Sequence, residues 1–144
     1  ESVFLLDPKD KNYNQIIEKF INHQNEPFIV QKFLSEIKHG DKRIILINGE
    51  PIAALRRIPQ SNEIRSNIHA GGNCKAVAIS RQDKKICSEI AGFLKDEGLF
   101  FVGIDVIGKY LTEINVTSPT CIQEIKKYHK IDIAEILWNK LQNN

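Results

Sequence analysis

Two apolar runs, RIILI and PIAALRRI, are separated by Asn48-Gly49-Glu50. Asn-Gly between such runs is a strong sign of a β-hairpin, because both residues enter positive φ at little cost. A second pair of runs, Leu99–Ile107 and Leu111–Val116, alternates apolar and polar residues with the period of a half-buried strand. Val102, Ile104 and Val106 share one face of the first run; Thr112, Ile114 and Val116 share one face of the second. A one-residue slip would turn one strand's apolar set towards the other's polar set, so burial sets the register. That register pairs Val106 with Thr112, Ile104 with Ile114 and Val102 with Val116, around a three-residue loop, Gly108-Lys109-Tyr110. It also sets Asp105 opposite Glu113 and Gly103 opposite Asn115.

The remaining pattern supplies helices and shorter strands. Ile16, Ile17, Phe20 and Ile21 form the stripe of an amphipathic helix over Tyr13–His23. Ser80 with Asp83 starts a second helix, whose stripe is Ile86, Ile90, Phe93 and Leu94 and whose end is Gly98. Ser118-Pro119 reads as an N-cap followed by proline at the first helical position. Asp132 caps a last helix with Ile133, Ile136, Leu137 and Leu141 inward and Trp138 as packing. Short strands are expected at Val3–Leu6, Phe28–Leu34 and Lys75–Ile79, and the polar stretch Pro59–Asn73 reads as a long, functional loop. The fold class is α+β with a largely antiparallel sheet.

Composition narrows the function classes. The chain has 144 residues, 42% hydrophobic and 26% charged, enough for one domain with a real core. Twenty basic residues against eighteen acidic ones argue against nucleic acid or a membrane surface as the main partner. No apolar run approaches the ~20 residues of a membrane span. Cys74, Cys87 and Cys121 are odd in number and widely spaced, which suits a reducing, cytoplasmic setting better than a disulfide or zinc framework.

Asp105, Glu113 and Asn115 therefore gather on one face, and like charges directly opposite repel. Spacing leaves three readings: a solvated charged face, which it favours, an acid dyad, or a site for a hard divalent cation. An all-oxygen set without histidine or cysteine would suit magnesium or manganese rather than zinc.

DKRIILINGEPIAALRRIPQ, the AGG of Ala70–Gly72, GLFFVGIDVIG and LTEINVTSPT together resemble the C-terminal part of prokaryotic-type glutathione synthetases, which are ATP-grasp ligases. The likeness runs from about Ser2 to about Gln142. It implies the C-terminal part of an ATP-grasp fold over residues 1–144, with a mainly antiparallel sheet, flanking helices and a long lid loop. The activity it implies joins γ-glutamylcysteine to glycine with ATP and magnesium (or manganese), through an acylphosphate, giving glutathione, ADP and phosphate. Full-length members of the family are homo-oligomers.

The same resemblance implies residue roles. Asp105, Glu113 and Asn115 match magnesium ligands, and Gln31, Lys32, Phe33 and Leu34 match the segment that receives adenine. Asp41 falls where the ribose is expected and Arg43 where phosphates and substrate meet. Arg57, rather than its neighbour Arg56, matches an arginine that stabilises the transferring phosphoryl group. Arg65 lies in the lid, and Ser118 and Thr120 are placed for a substrate carboxylate or phosphate. Ser61, Asn62 and Ser66 stand where the family's lid is richer in glycine, and Ser35 where proline is usual.

ESVFLL corresponds to a point just after the family's glycine-rich loop. The N-terminal domain and first ATP-grasp subdomain, with two ATP-binding lysines, are thus expected to be missing, and the chain alone to have little ligase activity. The other function classes to weigh are a non-catalytic nucleotide- or protein-binding module and a sister ATP-grasp ligase.

Overall fold

Asn48 and Gly49 take φ values of 52° and 75°. The turn they make joins β1 (Asp41–Ile47) to β2 (Glu50–Ile58), as the Asn-Gly signal predicts. The structure is a computed structural model that describes residues 4–22, 27–59 and 73–143. The predicted long loop, with Arg65 and Ala70–Gly72, lies outside the described residues apart from its ends. Contacts divide the chain into two units, Glu1–Phe33 and Leu34–Asn144.

In the first unit the helix α1 (Tyr13–Asn22) forms where the stripe predicts. Phe20 packs edge-on against Phe4 and tilted against Phe28, both at 5.5 Å between ring centres. Phe28–Leu34, expected as a strand, is not one, and Ile29 is 88% exposed. A strand is held by a neighbour's backbone, and none of the five described strands pairs with this segment. Phe4–Leu6 likewise has no strand structure.

The second unit holds a short 3₁₀ helix (Ser35–His39), the sheet and three α-helices. The sheet runs β3-β2-β1-β4-β5, with β3 at Asn73–Val77, β4 at Phe101–Ile107 and β5 at Tyr110–Asn115, and all neighbours antiparallel. One face carries Ile44, Leu46, Ala54, Val102, Ile104 and Val106 against Ile86, Cys87 and Leu94 of α2 (Arg81–Asp96). The other carries Ile45, Ile47, Ala53 and Leu55 against Ile125 of α3 (Ile122–His129) and Ile133 of α4 (Ile133–Gln142). Phe93 and Trp138, expected as packing residues, are mostly exposed, and Leu141, expected inward, is about half-exposed. Leu94 takes the inward position on α2, and Phe93 lies one residue, about 100°, around the helix.

The second hairpin keeps Asp105 opposite Glu113, Ile104 opposite Ile114 and Gly103 opposite Asn115, as the apolar register predicts. Its turn differs. Val106 pairs with Leu111 and Ile107 with Tyr110, leaving the two-residue turn Gly108-Lys109. Thr112 becomes an extra residue in β5, and its Oγ1 donates to the Asp105 carbonyl at 3.1 Å. β5 ends at Asn115, so Val116 does not pair with Val102. Ser118-Pro119 is not a helix start either. Ser118 has φ 49°, Pro119 is buried beside Gly103, and α3 begins only after Cys121.

On the α2 side, Ser80 and Asp83 form the predicted reciprocal cap. Asp83 also receives Lys42 Nζ from β1 at 2.5 Å, and both groups are largely buried. Asp83→Asn should therefore lower stability by roughly 3 kcal/mol, because it leaves Lys42 without its counter-charge. A lower urea midpoint would be the sign of it; an unchanged midpoint would mean that the pair adds nothing. Among the described residues, no helix is long and apolar enough to cross a membrane.

Candidate active site

The face that α3 and α4 cover is apolar at one end only. Towards the start of β1 the same face carries Asp41 and Arg43, with Arg57 from β2, Asp105 from β4, and Glu113 and Asn115 from β5. Alternation along each strand puts them there, since Asp41, Arg43, Ile45 and Ile47 all point the same way. Cross-strand pairing then sets Asp41 opposite Arg57, Arg43 opposite Asp105 and Asp105 opposite Glu113.

Asp41, Arg43, Arg57 and Asp105 are each 4–5% exposed and satisfy one another. Arg43 grips Asp105 with both ends of its guanidinium, Nε to Oδ1 at 2.5 Å and Nη2 to Oδ2 at 2.9 Å. Arg57 reaches the same carboxylate through Nη2 at 2.8 Å. It grips Asp41 as well, with Nε 2.9 Å from Oδ1 and Nη2 on Oδ2. Two cations and two anions thus form a neutral, two-forked ladder, the arrangement that makes burial of charge tolerable.

Burial pushes the Asp105 carboxyl up, but hydrogen bonding from Arg43 and the charge of Arg57 hold it below the usual carboxylate range. Burial would lower Arg57, yet Asp41 and Asp105 raise it above its ordinary value. Glu113 moves the other way, raised by burial and by Asp105 facing it. Burial likewise raises Cys121. No group near it favours the thiolate enough to make it a nucleophile.

Asn115 carries the one buried side-chain polar atom, Nδ2, without a hydrogen-bond partner among the described residues. Thr120 Oγ1 lies 3.4 Å from Arg43 Nη1, while Ser118 and Thr120 are exposed. Gly103 explains how Arg43 crosses β4. A Cβ there would stand 2.7 Å from Pro119 Cβ and 3.2 Å from Arg43 Cδ. Gln31, Lys32 and Phe33 are exposed in the first unit, and Leu34 opens the second. Among the described residues no three His, Cys, Asp or Glu side chains converge as a metal cluster. The Asp105 and Glu113 carboxylates share the face with the Asn115 amide, whose unpartnered Nδ2 is a donor and whose Oδ1 is the atom able to meet a cation. That donor set fits a magnesium ion, which takes few protein ligands and fills its shell with water and phosphate.

The family model for the ATP-grasp domain of prokaryotic glutathione synthetase matches residues 1–130. The chain belongs to the prokaryotic glutathione synthetase ATP-grasp family. It is 49% identical over 135 residues to the glutathione synthetase of Synechococcus elongatus, covering 94% of this chain and 42% of that protein. The Agrobacterium fabrum glutathione synthetase is 44% identical over 133 residues, 92% of this chain and 42% of that one. The Synechocystis protein is 46% identical over 144 residues, 99% and 45%. The chain thus spans under half the length of these curated relatives. In fold it is similar to the ATP-grasp ligase PsnB complexed with precursor peptide PsnA2 and AMPPNP, with a TM-score of 0.50 at 19% identity over 72% of this chain and 32% of that chain. The α+β architecture is accordingly part of an ATP-grasp fold, and ATP is the family's energy source.

Sequence reasoning gathered Asp105, Glu113 and Asn115 through the apolar register and brought Arg43 and Arg57 in through the family resemblance. It did not foresee that the arginines and acids bind one another. It also missed Gly103, whose position opposite Asn115 was the available signal.

Proposed function

We propose that residues 1–144 are the C-terminal, nucleotide- and magnesium-binding part of the ATP-grasp domain of a cytoplasmic glutathione synthetase. The whole enzyme would join γ-glutamylcysteine to glycine. ATP phosphorylates the cysteinyl carboxylate, and the glycine amine displaces phosphate from the acylphosphate. The observation that carries this reading is the Arg43–Asp105–Arg57 ladder standing beside Glu113 and Asn115.

Asp105, Glu113 and Asn115 would hold magnesium or manganese, which when bound neutralises charge on the phosphate oxygens. Arg43 and Arg57 are fixed cations in a site largely screened from water, where charge developing on a phosphoryl group is best stabilised. Gln31, Lys32, Phe33 and Leu34 are assigned to the adenine by family likeness, and Arg65 to the cover that excludes water. Ser118 and Thr120 offer exposed hydroxyls to a substrate carboxylate, with Thr120 beside Arg43.

Calorimetric titration of the chain with a non-hydrolysable ATP analogue, with and without magnesium, tests the reading. Binding should require magnesium. Joint replacement Glu113→Ala and Asn115→Ala should weaken it by at least about 10- to 100-fold, the loss that even an outer-shell partner of a metal ligand can cause. Equal binding by the double variant would overturn the metal assignment.

A further inference from the structure

Asp41 and Arg57 face each other across β1 and β2, both about 5% exposed. The two carboxylate oxygens of Asp41 are engaged by Nε and Nη2 of this one guanidinium. Arg57 has a second carboxylate partner, since Nη2 also reaches Asp105 Oδ2 at 2.8 Å. The two acids differ in what else they hold. Asp105 is gripped by Arg43 as well and lies opposite Glu113, whereas Asp41 sits at the far side of Arg57 from both.

From this we infer that Asp41 is a positioning residue, whose task is to fix the plane of the Arg57 guanidinium. The inference rests on the proposed role of Arg57 at a transferring phosphoryl group. Two parallel hydrogen bonds from one fork set both direction and rotation of a guanidinium, which a single contact does not. Asp41 would therefore keep Arg57 oriented were Asp105 to hold a metal ion as well. Both oxygens of Asp41 are engaged by Arg57, which sets this role beside the ribose contact that the family resemblance implies for Asp41.

The experiment has two arms. Nitrogen-15 spectra of arginine side chains, assigned with Arg57→Lys, should show a slowly exchanging Arg57 Nε–H in the wild-type chain. In Asp41→Asn that signal should be lost or merge with those of exposed arginines, while the Arg43 signal, held by Asp105, persists. An Arg57 signal unchanged in Asp41→Asn overturns the inference. If Asp41→Asn does not fold, Asp41→Glu serves, since moving the carboxylate by one methylene should shift the Arg57 signal alone; an unshifted signal again overturns it.

In the second arm, a non-hydrolysable ATP analogue and its 2′,3′-dideoxy form are titrated with magnesium. Asp41→Asn should bind both about 10- to 100-fold more weakly, as loss of an orienting partner does. It should keep the wild-type preference between the two sugars and add nothing to Arg57→Met. A variant that loses only the sugar preference makes Asp41 a ribose ligand and overturns the inference. A wild-type chain that binds neither nucleotide overturns the proposed function instead, and the spectra then decide the role of Asp41.

Discussion

Asp105→Asn should lower folding stability by roughly 3–5 kcal/mol and remove magnesium-dependent nucleotide binding, the larger of these effects coming from what it leaves behind. In the native ladder Asp105 accepts three contacts from Arg43 and Arg57. An amide of the same shape keeps one acceptor oxygen and carries no charge. Among the described residues, Asp41 would then be the one hydrogen-bonded counter-ion left to two buried guanidinium groups, with the more exposed Glu113 the nearest other acid to Arg43. Urea denaturation gives the stability, and a midpoint within error of wild type would show that the ladder is not a stabilising unit.

The pH dependence gives a second reading of the same variant. Asp105 is held below its ordinary value, because the arginines outweigh burial. A depressed acid favours the folded state above its unfolded pKa of about 4 and loses that contribution as pH falls through the folded value. Wild-type stability should thus fall more steeply than that of Asp105→Asn on acidification below about pH 4. Parallel profiles would contradict the assignment of a buried, ionised Asp105.

Gly40→Ala should be nearly as damaging, by about 3 kcal/mol or more, although Gly40 makes no chemical contribution to the site. Its φ is 86°, and a Cβ there would lie 2.2 Å from the carbonyl oxygen of Arg57 and 3.0 Å from its carbonyl carbon. Backbone cannot rotate aside as a side chain can, so β1 must lift from β2 at the residue before Asp41. The Asp41–Arg57 fork would open with it.

Two other glycines separate strain from collision. Gly98 has φ 67° with nothing within 4 Å of a Cβ, so Gly98→Ala should show the left-handed strain alone, about 1–2 kcal/mol. Gly108 has φ 59° and meets the flexible Glu36 side chain at 3.3 Å, so its cost should be close to that of Gly98. Thermal unfolding of the three variants orders them; Gly40→Ala falling level with the other two would rule out the backbone collision.

Much of the architecture was legible in the residues because it depends on local period. Asn48-Gly49 announced a hairpin, Ser80 with Asp83 a helix start, and alternation alone put Asp105 opposite Glu113. The errors came where a neighbour far along the chain intervened. Pro119 looked like the first residue of a helix, but it packs beside Gly103 of β4 and delays α3 to Ile122. Phe28–Leu34 has strand composition, and composition cannot supply a pairing partner.

The candidate site shows the same division. Apolar alternation was sufficient to collect Asp105, Glu113 and Asn115 on one sheet face, because a period of two leaves a side chain only two directions, whereas Arg43 and Arg57 entered through the family resemblance. Counting back from the Asn48-Gly49 turn without interruption would set Asp41 opposite Arg56 and Arg43 opposite Ala54. A bulge between Ile45 and Leu46 makes Ile52 an extra residue and moves the register by one. Arg57 rather than Arg56 then meets Asp41. The Arg43–Asp105 fork, in turn, exists because β1 lies beside β4, a strand more than fifty residues further on. Which residues of one strand share a face is a local property of the chain; which face Arg57 joins, and which charge answers which, depend on a bulge and a strand order that only packing of the whole sheet decides.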